Sequence, residues 1–146
     1  MRTKNYLITT IIGLIFFISS CATYYIPVDS FKQQLQTIDT SQYRLVTTKG
    51  PFGDVVKYKT YPIDIIKCVD KNGGRFALTN SPALEIRFTD NKNKRTTFYF
   101  DRIFVNGNVI TGSQSRFISS IRATILLDNV KTIEIQDGRK KYRYIQ

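Results

Sequence analysis

From Tyr43 towards the carboxyl end, hydrophobic residues recur at every second position, in short runs rich in Val, Ile, Thr, Phe and Tyr separated by Gly, Asn and Asp. A period of two puts alternate side chains on opposite faces of an extended chain, so these runs predict half-buried antiparallel strands. In residues 83–89, Leu84, Ile86 and Phe88 are expected to face a core while Glu85 and Arg87 face water. The polar turn Asp90-Asn91-Lys92-Asn93-Lys94 then leads into a second run, 95–100. Asn106-Gly107-Asn108 between 102–105 and 109–111 predicts a tight hairpin, because both turn positions tolerate positive φ. Asn72-Gly73-Gly74 is expected to join 65–69 to 75–78 in the same way, and Asp137-Gly138 to join 131–136 to 139–145. The expected architecture is mainly β: consecutive hairpins forming a small antiparallel barrel or sandwich, with one short N-terminal helix.

That helix is read over residues 29–39, where Phe31, Leu35 and Ile38 fall at helical spacing. Ser30 and Gln33 fit a capping box, with Pro27 just outside the start. Its polar side holds mostly Gln and Thr with one Lys, which favours packing on the domain over lying in a membrane interface as a cationic helix would. Residues 108–135, a strand, a short aspartate-led turn and a strand, resemble the endings of small SH3- or Sm-type barrels. The resemblance bears on fold alone, since such barrels serve unrelated functions.

The chain has 146 residues, about one domain's length. With 42% hydrophobic residues, ten Phe and nine Tyr, its composition is that of a folded protein rather than a disordered one. The formal net charge of +11 points to anionic partners without choosing among phospholipid head groups, lipopolysaccharide phosphates and nucleic acid. Histidine is absent and cysteines number two, which removes the commonest general base and nearly all soft metal ligands. No cofactor motif is legible.

The amino end reads as a targeting segment. Met1-Arg2-Thr3-Lys4-Asn5 carries two positive charges, and the 13 residues 6–18 are almost wholly apolar. That length lies within the roughly 7–15 of a secretory signal and falls short of the roughly 20 that span a bilayer. Ile18-Ser19-Ser20-Cys21 resembles the lipobox of bacterial lipoproteins: a branched aliphatic, two small residues, then cysteine. The resemblance implies a thioether-linked diacylglycerol on Cys21, cleavage between Ser20 and Cys21, and acylation of the new amino terminus. It divides the chain into a signal peptide at 1–20, a lipidated tether at 21–28 and one β-rich domain at 29–146. Losing the leader removes only Arg2 and Lys4 from the 22 Lys and Arg, so the mature chain keeps 20 against 11 Asp and Glu. Ala22 stands where an aspartate would signal inner-membrane retention, and 22–26 has no acidic residue of the surface-export type; by resemblance this implies an outer-membrane protein facing the periplasm.

Candidate chemistry is sparse. Asp70, Asp90, Asp128 and Asp137 sit at expected turns, where aspartate bonds to local backbone. Asp70-Lys71-Asn72-Gly73-Gly74 faintly suggests a calcium loop but lacks the ligand alternation of an EF-hand, so a hairpin turn is expected. Ser113, Ser115, Ser119 and Ser120 cluster in a loop, but without histidine no Ser-His-Asp arrangement is available within the chain. With Cys21 lipidated, Cys68 has no intramolecular partner and is expected to be a small buried residue; a redox role is the alternative. Tyr24 and Tyr25 are expected either at the bilayer interface or in an unstructured tether. Arg139, Lys140, Lys141 and Arg143 place four cations among aromatics within residues 139–144. They read either as a grip on anionic lipid or glycan phosphate or as an edge strand guarded by charge; the envelope address argues against nucleic acid.

Together these features lead to the expectation of a membrane-anchored, non-catalytic binding or structural module of the bacterial envelope. Its expected partners are the membrane itself, an anionic lipid, lipopolysaccharide or an envelope protein. The alternative is an envelope enzyme using paired carboxylates on a glycan.

Overall fold

In the computed structural model, which describes residues 22–118 and 120–145, the strands are β1 (Thr23–Tyr25), β2 (Arg44–Lys49), β3 (Val55–Thr60), β4 (Ile65–Val69), β5 (Arg75–Thr79) and β6 (Leu84–Asp90). They continue as β7 (Arg95–Tyr99), β8 (Ile103–Asn106), β9 (Val109–Ser113), β10 (Arg122–Leu126), β11 (Val130–Asp137) and β12 (Arg143–Ile145), with one helix, α1 (Val28–Leu35). The leader, the Ser20–Cys21 junction and Ser119 lie outside the described residues.

Turn chemistry explains the hairpins. β2–β3, β4–β5 and β6–β7 close with the same short loop, whose last residue is left-handed: Gly53 (φ 85°), Gly73 (φ 83°) and Asn93 (φ 60°). Asp70 and Asp90 each accept two backbone N–H bonds across their loops, at 2.8–2.9 Å for Asp70 and 2.8 Å for Asp90. This is the local role expected of them. In the β8–β9 hairpin only Gly107 takes positive φ (57°), so the loop follows the type II′ pattern, not the double positive φ expected of Asn-Gly.

Three antiparallel sheets form, ordered β5-β4-β1-β11-β6-β7, β10-β9-β8 and β12-β2-β3. They pack in sandwich fashion around one core, and no closed barrel forms among the described residues. Leu84, Ile86 and Phe88 alternate inward as the period of two requires, joined by Ile66, Phe98, Ile133 and Ile135 from neighbouring strands. α1 lays Phe31 and Leu35, 0% and 1% exposed, onto this face, with Phe31 edge-on to Phe88 at 5.4 Å. That burial answers the choice between domain packing and an interfacial helix in favour of packing.

Several expectations are corrected. α1 starts after Pro27 with no side-chain cap, so the Ser30–Gln33 box is not made; Ser30 instead accepts from Gln34 at 3.1 Å. Gln34 is better used elsewhere: its amide donates to Lys67 O (3.0 Å) and accepts from Lys67 N (2.8 Å), replacing the strand partner that short β1 does not supply there. Within the expected tether, 21–28, residues 23–28 are not free: Thr23–Tyr25 form β1 between β4 and β11, Tyr24 stacks on Phe76 at 4.4 Å, and Val28 begins α1. Asp137-Gly138 makes no hairpin. Gly138 N donates to Ala83 O (3.0 Å), Arg139 turns the chain with φ 51°, and β12 pairs with β2 rather than β11. The strand–turn–strand at 122–137 is present as β10, a 3₁₀ turn at Leu127–Asn129 and β11, but the two strands belong to different sheets.

Candidate anionic-ligand face and the buried pair beneath it

The basic run near the carboxyl end does not act as one patch. Lys140 is engaged, with Nζ 2.6 Å from Glu85 Oε1 and 2.8 Å from Tyr99 Oη, and burial that would lower its pKa is outweighed by those bonds, so it is raised. Arg139 forms the turn at Asp137, whose carboxylate accepts its N–H at 2.8 Å. Lys141 and Arg143 instead join Lys49 around a cleft of about 480 Å³ that also includes Pro51 and Tyr142. Arg143 lies directly opposite Lys49 in the β12–β2 register. Like charges facing across strands are destabilising, and none of these three cations has an ion-pair partner among the described residues. The expected site thus keeps Lys141 and Arg143, gives up Arg139 to the turn and Lys140 to Glu85, and gains Lys49 of β2, which the sequence did not single out. β12 is also an edge strand, as the second reading of this segment required.

Beside the cleft, large apolar side chains stand in solvent. Phe52 at the β2–β3 tip is 85% exposed and Phe117 in the β9–β10 loop is 62% exposed, with their rings 6.1 Å apart. Phe117 in turn meets Tyr142 at 6.3 Å. The local serines hold this loop: Ser115 Oγ accepts from Phe117 N (3.2 Å) and Ile118 N (3.1 Å), while Ser113 Oγ donates to Ser115 O at 2.5 Å.

Beneath this face lies a pair that sequence reading missed. Arg116 and Asp101 have side chains 3% and 0% exposed, and Arg116 Nη2 stands 2.6 Å from Asp101 Oδ1. Arg116 also donates to Pro82 O and, at 3.1 Å, to Tyr58 Oη. Asp101 Oδ2 accepts from Tyr58 and, at 3.2 Å, from Tyr144. The guanidinium is flanked by the rings of Tyr99 (4.2 Å) and Tyr142 (4.9 Å). One buried carboxylate therefore ties β3, β12, the 3₁₀ turn at Phe100–Arg102 and the β9–β10 loop together. Asp101 faces cation and phenols rather than a second carboxylate. Among the described residues no three His, Cys, Asp or Glu gather as a metal-binding group, and no helix is long and apolar enough to cross a membrane.

Burial and the Asp101 charge push the Tyr58 and Tyr144 phenols above their usual 10.0. A raised phenol stabilises the fold fully below the unfolded pKa and loses that contribution as pH rises past it. Stability measured by urea denaturation is therefore expected to fall steeply above pH 10, and Tyr58→Phe to make that fall shallower. An unchanged slope in Tyr58→Phe excludes this phenol as a source.

Cys68 is buried at 4% exposure with its thiol donating to Phe76 O at 3.6 Å, and burial raises its pKa, the setting of an inert core thiol. Comparisons with protein-family models, with curated proteins and with solved structures find no match to this chain.

Proposed function

We propose that the mature chain is a lipid-anchored, non-catalytic binding module of a bacterial cell envelope, held by Cys21 at the outer membrane on its periplasmic side. The reading takes its address from the lipobox-like Ile18-Ser19-Ser20-Cys21 and its task from the surface. The observation that carries the task is the triad Lys49, Lys141 and Arg143, two of them opposed across β2 and β12, with no ion-pair partner among the described residues. Cations held close together without a counter-charge are stabilised by a bound anion, and the ligand chemistry they fit is a phosphate-bearing lipid or lipid-linked glycan.

The test uses the chain beginning at Ala22, which contains the whole described fold, with liposomes containing phosphatidylglycerol. Each surface cation contributes about 1 kcal/mol near an anionic membrane, so replacing Lys49, Lys141 and Arg143 together by Gln is expected to weaken binding roughly a hundredfold. Replacing Lys92, Lys94 and Arg95, on and beside the β6–β7 turn at the far end of the six-stranded sheet, is the control. Equal losses in the two triple variants would place binding in net charge rather than in this site.

A further inference from the structure

β1 begins at Thr23, two residues after Cys21, so an extended link between them reaches about 7 Å. Lipid on Cys21 would hold the end of the sheet at which β1 begins against the bilayer, since no longer tether intervenes.

The strand registers identify what else lies at that end. Thr23 pairs with Gln136 on β11, Gln136 with Glu85 on β6, and Glu85 with Tyr99 on β7. From Tyr99 the contacts continue through Tyr142 (6.1 Å) to Phe117 (6.3 Å) and Phe52 (6.1 Å). The exposed phenylalanines and the Lys49–Lys141–Arg143 cleft thus share one end of the molecule with the first residue of β1. The acidic groups at this end are engaged or turned inward: Glu85 by Lys140, Asp70 by its own loop amides, Asp137 by the Arg139 N–H, and Asp54 Oδ1 turned onto Gly50. Around the cleft itself the outward side chains, Lys49, Lys141, Arg143, Phe52 and Phe117, are cationic and aromatic, the composition suited to a phosphate-bearing interface above acyl chains.

Resting on the lipoprotein reading, we infer that this end docks on the bilayer that holds the lipid anchor: Phe52 and Phe117 enter the interface while Lys49, Lys141 and Arg143 meet anionic phospholipid phosphates. The domain is thereby seated in one orientation, its β6–β7 turn and the Leu126 end of β10 pointing away from the membrane.

The chain contains no tryptophan, so one introduced indole reports alone. Full-length lipidated protein carrying Phe52→Trp, Phe117→Trp or Leu126→Trp is reconstituted in vesicles of phosphatidylethanolamine and phosphatidylglycerol with brominated acyl chains. Palmitate labelling of the same samples, against Cys21→Ser, reads the anchor separately. The expected result is labelled protein whose indoles at 52 and 117 are quenched severalfold more than at 126, with less quenching when phosphatidylcholine replaces phosphatidylglycerol. Labelled protein with all three indoles equally unquenched overturns the docking while leaving the anchor intact. Equal quenching in the two lipid mixtures overturns the anionic recognition. Absence of label at Cys21 removes the lipoprotein reading and the docking that rests on it. Crosslinking of positions 52 and 117 to another protein without lipid quenching assigns the face to a protein partner and overturns the inference.

Discussion

Arg116→Met is expected to lower the free energy of unfolding by about 3–5 kcal/mol, as removing one member of a buried ion pair does. The substitution keeps most of the side-chain volume between the Tyr99 and Tyr142 rings, so the cost comes from charge rather than from a cavity. It leaves Asp101, 1% exposed as a residue, with two phenol donors and no cation. Pro82 O loses its buried donor as well. Replacing both partners, Asp101→Leu with Arg116→Met, removes the stranded charge and is expected to recover much of the loss, since well-packed apolar substitutes for buried pairs are often neutral or better. A double-mutant cycle by urea denaturation measures the coupling. A single-variant cost under about 1 kcal/mol would mean that solvent reaches Asp101. Because Arg116 leads directly into Phe117, the single variant is also expected to loosen the loop that presents this ring to solvent.

Phe88→Ala is expected to cost a comparable 3–5 kcal/mol, by a different mechanism. Phe88 is 2% exposed and touches Phe31 of α1 edge-on at 5.4 Å and Phe98 of β7 at 5.9 Å. Truncation removes the ring from both partners and opens a cavity between helix and sheet. A domain of this size has about 5–15 kcal/mol in total, so either variant removes a large fraction of it. Thermal or urea unfolding followed by far-ultraviolet circular dichroism checks the value. A loss below about 1.5 kcal/mol would show that the helix collapses into the gap. Phe88→Leu, which retains more volume at the same site, is expected to lose less.

Much of this fold was legible because strand faces and turns depend on near neighbours. Leu84, Ile86 and Phe88 alternate inward as read, and Asp70 and Asp90 cap their own turns. Phe31 and Leu35 face the core at helical spacing, although α1 stops before Ile38. β1 escaped notice because three residues just after the lipobox-like motif carry too short a pattern to read. The course of 139–145 was misread for a related reason: an aspartate-glycine pair signals a turn, but the destination of the next strand rests on burial of Tyr142 and the Gly138–Ala83 bond. The Asp101–Arg116 pair had only a faint signal, an acid just after Phe98-Tyr99-Phe100 and an arginine in a serine-rich loop. Nothing local distinguishes those from surface charges.

The candidate face divides along the same line. Its cationic ingredients near the carboxyl end stand in the sequence, as does the lipobox-like motif from which the proposed envelope location is taken. Local order alone determined that the described residues are mainly β with one short helix, because alternation and turn propensity act within a few residues. Only tertiary structure decided that Lys140 is withdrawn to Glu85, that Lys49 faces Arg143, and that Phe52, Phe117 and the start of β1 share one end. Those outcomes follow from long-range pairing and from desolvating a few buried groups, quantities that no window of neighbouring residues contains.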